Sequence, residues 1–258
     1  MSGESTQNWF NQGGAAYARY RPEYPPELAA FLASVAPTRA LAVDVGCGTG
    51  QLTVQLAEHF EQTIGLDPSA DQLANATPHA RVVYRCCPAE QLDVKAGQAS
   101  LITAAQAAHW FDLPRFYAEV RRVAAPDAVV SLLSYGVLVL DGDLNELFQR
   151  FYSQDVGRFW PPERRLVDTG YASIDFPFDE RQAPPMTIRK DWNLEELLGY
   201  ISTWSAVRSA LEKGQEALLH RFAAELTERW GDPARTREMR WPINMRLGTV
   251  QAAQGTSA

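Results

Sequence analysis

Ala42-Val43-Asp44-Val45-Gly46-Cys47-Gly48-Thr49-Gly50 is the stretch on which the fold turns. Leu41 to Val45 is a short apolar run that reads as a buried strand. Gln51 to Phe60, with Leu52, Gln55, Leu56 and His59 spaced along it, reads as a helix. Glycines between them accept positive φ and let a ligand approach the backbone closely. The start of the following helix offers unpaired N–H groups. Strand, tight turn and helix N-terminus together make a site for a nucleotide-like ligand. The glycine spacing narrows the choice. A dinucleotide fingerprint needs G-x-G-x-x-G; Gly46 and Gly48 supply its first two positions, but the third is Gln51. The pattern is G-x-G-x-G, with the acidic Asp44 two residues ahead of it. The plain alternative is an ordinary glycine-rich turn.

Outward from the turn the pattern alternates. Pro25-Pro26-Glu27 opens a helix through Leu28, Phe31, Leu32 and Val35, and Pro37 ends it. Thr63 to Leu66 reads as a second strand, and Ser69 caps a helix through Leu73. Arg81 to Cys86 is a third strand, Leu101 to Ala105 a fourth and Asp127 to Ser134 a fifth, with a helix around Phe116 to Val123. Strands alternating with helices imply a parallel sheet with helices on both faces, and right-handed crossovers make it doubly wound. The second half is less regular. A helix is expected over Asp143 to Tyr152, a strand near Ser173 to Phe178 and a final strand over Met239 to Leu247. Asn193 caps a helix carrying Leu194, Leu197, Leu198, Ile201 and Trp204; a further helix carries Leu218, Phe222, Leu226 and Trp230 and stops at Gly231-Asp232-Pro233.

The bulk properties bound the function. The chain has 258 residues, 46% hydrophobic and 21% charged, which fits a globular α/β domain. Its formal net charge of −7 argues against a nucleic-acid backbone as partner, since such binders carry basic patches. The longest apolar candidate, Ala128 to Leu140, is broken by Ser131, Ser134, Tyr135 and Gly136, short of the roughly 18 residues a membrane span needs. The polar N-terminus has no signal-peptide pattern. Cys47, Cys86 and Cys87 form neither a disulfide framework nor a zinc-like spacing. The expectation is a soluble cytoplasmic protein with no metal and no membrane partner.

Three further segments surround the glycine turn in sequence. Ile64-Gly65-Leu66-Asp67-Pro68-Ser69 closes the second strand, and Asp67 lies 21 positions after Gly46. A carboxylate there can accept hydrogen bonds from both hydroxyls of a ribose; the alternative is a charge favoured by the helix dipole. Cys87-Pro88-Ala89-Glu90-Gln91-Leu92 follows the third strand, and Ala104-Ala105-Gln106-Ala107-Ala108-His109-Trp110-Phe111-Asp112 closes the fourth. Gln106 falls at the carboxyl end of the sheet, where open α/β folds bind ligands.

Asp44 with Gly46, Gly48 and Gly50 resembles motif I of the class I S-adenosylmethionine (SAM) dependent methyltransferases, whose loop meets the methionine and ribose portions of SAM. The Ala89-Glu90 segment resembles the S-A-E-x-L stretch that contacts adenine in that family, Ala89 supplying a backbone N–H and a small side chain. Residues 40 to 134 look like the core of the methyltransferase type 11 group. Tyr17 to Pro25, Gln106 to Phe111 and Arg240-Trp241-Pro242 are similar to stretches of trans-aconitate methyltransferase. One departure is Ser100, where an aspartate usually opens the fourth strand.

The resemblance implies a Rossmann-like α/β fold. Its doubly wound, mostly parallel sheet has seven strands, and a helical cap is inserted after the fifth. It implies one domain over 1–258, with an N-terminal lid at 12–36, a SAM-binding core at 40–134, a cap at 137–172 and a stretch completing the sheet at 173–250. It implies SAM as cofactor and S-adenosylhomocysteine as product. The implied cofactor residues are Tyr17, Arg21, Asp44, Gly46, Cys47, Gly48, Gly50, Asp67, Pro68, Ala89, Glu90 and Gln106. Tyr17, Tyr20 and Arg21 would form the lid, with Arg21 facing the cofactor carboxylate.

Methyl transfer from a sulfonium needs positioning and exclusion of water more than covalent catalysis. A carboxylate acceptor, with a reference pKa of about 4, is already ionised. A hydroxyl or amine needs its proton removed, and His109 is the candidate base, or else a structural histidine beside Trp110. Arg164 and Arg165 offer guanidinium forks suited to a carboxylate, or else a solvated surface. Trp110 and Trp160 can wall an apolar or planar acceptor, or pack in a core. The expected activity is SAM-dependent methylation of a small-molecule acceptor, a carboxylate first. The alternatives are SAM binding without transfer, a hydroxyl, amine or macromolecular acceptor, and a dinucleotide oxidoreductase, which Gln51 weakens.

Overall fold

The computed structural model describes Tyr20 and residues 22–251. Strands β1 (Leu41–Val45), β2 (Gln62–Asp67), β3 (Val82–Cys86), β4 (Ala99–Ala105) and β5 (Ala124–Tyr135) come first in the chain. All their pairings are parallel, with Val43 opposite both Ile64 and Ile102, Leu66 opposite Arg85, and Ala104 opposite Leu132. The sheet order is β3-β2-β1-β4-β5, continued by β8 (Arg237–Thr249) and β6 (Asp179–Arg181). Strand β8 runs antiparallel to both β5 and β6. Strand β7 (Met186–Trp192) pairs with β8 off that path, so the sheet has eight strands rather than the expected seven. It remains a mostly parallel sheet with flanking helices, a Rossmann-like α/β fold.

The first half follows its sequence pattern closely. Strand β1 is buried along its whole length, and so is β2 beyond Gln62. Helix α1 (Pro26–Val35) opens on proline, and α3 (Ala70–Ala74) opens on Ser69, whose hydroxyl accepts the Gln72 N–H at 3.3 Å. Helix α4 (Leu113–Val123) opens on Asp112 and buries Phe116, Tyr117, Val120 and Val123, which recur at helical spacing. These side chains join Val43, Val45, Ile64, Leu66, Ile102, Val130 and Leu132 in one core cluster. Helix α2 (Gln51–Ala57) starts directly from the glycine turn.

The second half departs from expectation in two places. No strand forms over 173–178; Ile174 and Phe176 enter the core from an irregular segment, and the strand falls at Asp179–Arg181. Three exposed charged residues on a sheet edge give no apolar alternation to read, but they do discourage edge-to-edge pairing. Strand β7 was missed for a related reason: Arg189, Lys190 and Asp191 interrupt its apolar positions.

The chain divides into two compact units. One comprises Glu23–Val137, Arg165–Thr187 and the residues from Pro242 onward, and contains the parallel sheet. The other comprises the described residues up to Pro22 with Leu138–Arg164 and Ile188–Trp241. It is built on helices α5 (Gly142–Arg150), α7 (Leu194–Ser202), α8 (Ser205–Glu212) and α9 (Glu216–Trp230), α6 (Arg164–Asp168) lying between α5 and α7 in the chain. The segments expected as a cap at 137–172 and as a sheet-completing stretch at 173–250 are therefore each split between the units.

The helical unit is packed by aromatic rings. Trp204 is 4% exposed, and its ring centroid lies 5.7 Å from that of Phe148, 5.5 Å from Tyr152, 5.4 Å from Trp160 and 5.5 Å from Tyr200. Phe151 stacks on Phe222 of α9 at 3.8 Å. Asn193 and Glu196 form the capping box that starts α7. Tyr20 belongs to this unit and packs where a Cβ on Gly199 would lie 2.6 Å from its ring.

Candidate cofactor and acceptor site

In the sheet order the chain winds one way from β1 to β2 and the other way from β1 to β4. Ligands of open α/β sheets bind outside the carboxyl ends of the strands at such a switch point. The glycine loop leaves β1 there, Asp67 ends β2, and Gln106 follows β4. The three segments that sequence spacing singled out are thus brought to one edge of the sheet.

The three glycines of the loop serve different ends. All have positive φ: 69° at Gly46, 55° at Gly48 and 84° at Gly50. A Cβ on Gly46 would overlap Ala107, and one on Gly50 would lie 2.8 Å from Cζ of Tyr84. Those two glycines are demanded by the protein's own packing. A Cβ on Gly48 would meet nothing nearer than Oε1 of Gln72 at 3.9 Å. Gly48 therefore presents bare main chain to open space, the feature a closely approaching ligand requires. The N–H groups of Gly46 and Cys47 both donate to the Leu66 carbonyl, at 2.7 and 3.0 Å, and fix the loop to β2. Cys47 is half-buried, and burial together with the Asp44 and Asp67 carboxylates pushes its thiol pKa well up, so it stays neutral. Burial also raises Tyr84 to about 12, and its hydroxyl donates to the Thr77 carbonyl at 2.8 Å.

Asp67 and Asp44 divide the work the sequence assigned to both. The Asp67 carboxylate accepts the Gly48 N–H at 2.9 Å through Oδ2 and the Ser69 N–H at 2.8 Å through Oδ1. Each oxygen keeps a second lone pair, so the carboxylate can brace the loop and still accept hydroxyls from a ribose. Asp44 is engaged within the protein. It is 1% exposed, and its two oxygens accept the hydroxyls of Thr53 at 2.7 Å and Thr103 at 2.8 Å. Desolvation raises its pKa from 3.8 to about 6, against the lowering effect of the two threonines. In this structure Asp44 is a buried brace joining β1, α2 and β4 beneath the loop.

Two other expected contacts are partly absorbed by the fold. Ala89 is 5% exposed and belongs to the core cluster, so its small side chain serves packing. Glu90 accepts the Asp112 N–H at 2.8 Å and ties the segment after β3 to the start of α4. Pro68 is exposed, and its carbonyl lies 3.5 Å from the Cys86 thiol. Ser100, the departure from the family pattern, shares a 2.6 Å hydrogen bond with Thr38. Tyr17 and Arg21 lie outside the described residues.

Gln106 has φ 55°, in the left-handed region that bulky residues rarely occupy. Its N–H donates to the Leu133 carbonyl at 2.8 Å, and its side-chain amide to the Tyr135 carbonyl at 3.4 Å. The strained residue turns the chain out of β4 and into a short 3-10 turn, Ala108–Trp110. His109 is half-buried there, with Nδ1 2.9 Å from the hydroxyl of Tyr171, while Trp110 is 63% exposed. Nothing in the sequence pointed to Tyr171, which stands 62 positions from His109.

Trp160 and Arg164 belong to the helical unit and Arg165 to the other. Arg165 is exposed. The Nε of Arg164 donates to the Tyr152 hydroxyl at 2.9 Å, and its guanidinium lies 4.8 Å from the centre of the Trp160 ring. Trp160 in turn donates from Nε1 to the Tyr152 carbonyl at 3.3 Å. Tyr152 sits in a π-helical turn, Phe151–Asp155, which continues α5. Among the described residues no group of three or more His, Cys, Asp or Glu could hold a metal ion, and no helix is long and apolar enough to cross a membrane.

Comparison with known proteins gives this arrangement its family. Residues 43–132 match the family described as methyltransferase domain. A Dictyostelium discoideum protein named as a methyltransferase is 34% identical over 214 residues, covering 81% of each chain. A solved structure described as a type II methyltransferase from Anaeromyxobacter dehalogenans is 41% identical, covers 91% of this chain and 100% of its own, and superposes with a TM-score of 0.86. This chain belongs to the class I SAM-dependent methyltransferases. The YcgJ protein of Bacillus subtilis, 16% identical with a TM-score of 0.52 over 88% of this chain, shares the fold.

SAM is accordingly the methyl donor of this methyltransferase and S-adenosylhomocysteine its product. The residues present fit that cofactor. Gly48 offers a bare approach, Asp67 offers carboxylate lone pairs one strand away, and both stand at the switch point of the sheet.

Proposed function

We propose that this methyltransferase acts in the cytoplasm on a small molecule and esterifies one of its carboxylates. SAM supplies an electrophilic methyl group. The glycine loop at Gly46, Cys47, Gly48 and Gly50 receives it, with Asp67, Pro68, the main chain near Ala89, and Gln106. The observation that carries the carboxylate is Arg164. Its guanidinium is fixed in orientation by Tyr152 and the face of Trp160, and it is only partly exposed. A planar cation held in this way suits bidentate recognition of a carboxylate. An acid ionised at neutral pH needs no base, so positioning is the main demand on the protein. The net charge of −7 supports a small acceptor over a nucleic acid. The three cysteines are free thiols, as a reducing compartment keeps them.

The test is incubation with methyl-labelled SAM and a panel of small carboxylic acids, phenols and amines. S-adenosylhomocysteine is quantified, and each product is treated with mild alkali. Methyl esters release methanol; ethers and N-methyl groups do not. Base-labile label confined to the acids is the expected result. Base-stable label on a phenol or amine would overturn the carboxylate.

A further inference from the structure

We propose that Tyr84 is a positioning residue for SAM: its ring and hydroxyl hold the glycine loop in the conformation that receives the cofactor. The inference rests on the reading of that loop as the SAM site. It starts from what surrounds the ring. Tyr84 lies on β3 and pairs in register with Gly65 of β2. A Cβ on Gly65 would lie 2.7 Å from Cδ1 of Tyr84 and 3.1 Å from the Cys47 sulfur. The ring and the loop's cysteine therefore settle against the same bare piece of β2. At its far end the ring reaches the loop itself, where a Cβ on Gly50 would overlap the Tyr84 hydroxyl. Two glycines, one in the sheet and one in the loop, make room for a single aromatic side chain.

The hydroxyl extends that contact into a chain of hydrogen bonds. It donates to the Thr77 carbonyl at 2.8 Å, and the Thr77 N–H donates to the Thr49 carbonyl at 3.0 Å. Thr49 stands between Gly48 and Gly50. Gly48 is thus flanked by two restraints: Asp67 holds its N–H from β2, and Tyr84 acts on the next residue through Thr77. The junction needs such support, because α2 begins at Gly50, with φ 84° and no side-chain cap. Glycine backbone has many other conformations open to it. Stability alone does not account for the hydroxyl. Tyr84 is half-buried and its hydrogen bond is exposed, so water can take its place at little net cost. A loop already held in its bound conformation, by contrast, gains affinity, because less ordering remains to be done on binding.

Tyr84→Phe keeps the ring and removes only the hydroxyl, so it tests the proposal with the fold intact. Calorimetry is expected to show SAM affinity reduced about 2- to 10-fold, the range that one neutral hydrogen bond supplies. The Gly50 amide, which donates to the Cys47 carbonyl at 2.9 Å, should exchange with solvent faster in the ligand-free variant. The melting temperature of the ligand-free protein should hold. With an acceptor from the carboxylate panel, the KM for SAM should rise by the same factor at unchanged kcat. A merely structural tyrosine would lower the melting temperature and leave SAM affinity as it is. Unchanged SAM affinity in Tyr84→Phe would therefore overturn the proposal. So would a loss of affinity without faster exchange at Gly50, which would mark a direct contact instead. Gly48→Ala separates this failure from that of the SAM site. If Gly48→Ala weakens SAM binding and Tyr84→Phe does not, the loop remains the site and Tyr84 has no part in it. If neither variant weakens it, the loop reading falls and this proposal with it.

Discussion

The glycine loop and the Tyr152–Trp204 cluster hold their groups by opposite means. In the loop, main chain is tied to main chain and to one carboxylate: Gly46 and Cys47 to Leu66, Gly48 to Asp67. In the helical unit, rings hold rings, and Arg164 is fixed by an aromatic face and a phenol. The first arrangement is directional and short-range in sequence, so glycine spacing and a strand-end aspartate reveal it. The second is dispersive and non-directional, and a helix shows it only as one more apolar position. This explains why the glycine loop is legible in the sequence and the aromatic cluster is not.

The contrast can be broken by experiment. The largest effect is expected from Trp204→Ala, which removes the ring at the centre of the aromatic cluster and should cost about 3–5 kcal/mol of stability. Denaturant titration measures the loss. Calorimetry well below the transition should find SAM affinity within about twofold, as expected for independent sites. A large loss of SAM affinity would show that the two regions are energetically coupled.

Asp44→Asn tests the buried brace. The folded-state pKa of about 6 lies above the ordinary aspartate value of 3.8, so between those values the folded protein holds more protons than the unfolded chain. Stability therefore falls as pH rises through that window, and the burden of the ionised carboxylate is fully present above it. The rise is worth on the order of 3 kcal/mol at neutral pH. Melting temperatures measured from pH 4 to 7 should rise toward acid in the wild type relative to Asp44→Asn. Parallel profiles would remove Asp44 from the account.

A smaller effect is expected at Asp67. Asp67→Ala should weaken SAM binding by about 1–3 kcal/mol, the range for a lost hydrogen bond to a charged group. It also frees the Gly48 and Ser69 N–H groups, so the melting temperature should fall with it. Unchanged calorimetric affinity would leave Asp67 with the brace alone. The smallest stability change belongs to Gly48→Ala, which costs about 1–2 kcal/mol for left-handed backbone and meets no steric obstacle within the protein. SAM affinity falling by more than stability would identify the open face of Gly48 as a ligand contact. Equal falls would reduce its role to backbone conformation.

Most of the parallel half was readable because each element has its own local cause. Ser69 caps where the sequence places a cap, and α4 repeats its apolar residues at helical spacing. Helix α8 was not readable: it buries Ala206, Val207 and Ala210, residues too small to mark a stripe. The site shows the same division. Gly46, Gly48, Gly50 and Asp67 were found by spacing, and the structure brings them together. The protein partners of Asp44 and Glu90 are invisible in sequence; Thr53, Thr103 and the Asp112 N–H engage them.

The sequence by itself determined the G-x-G-x-G turn, the strand before it, the helix after it and the aspartate one strand later, because those follow from backbone conformation and spacing along the chain. Only the tertiary structure decided that the Asp67 carboxylate ties down the loop while Asp44 is sealed between two threonines, and that Tyr171 meets His109. Those outcomes depend on burial and on hydrogen bonds between residues far apart in sequence. They exist only once the chain has packed.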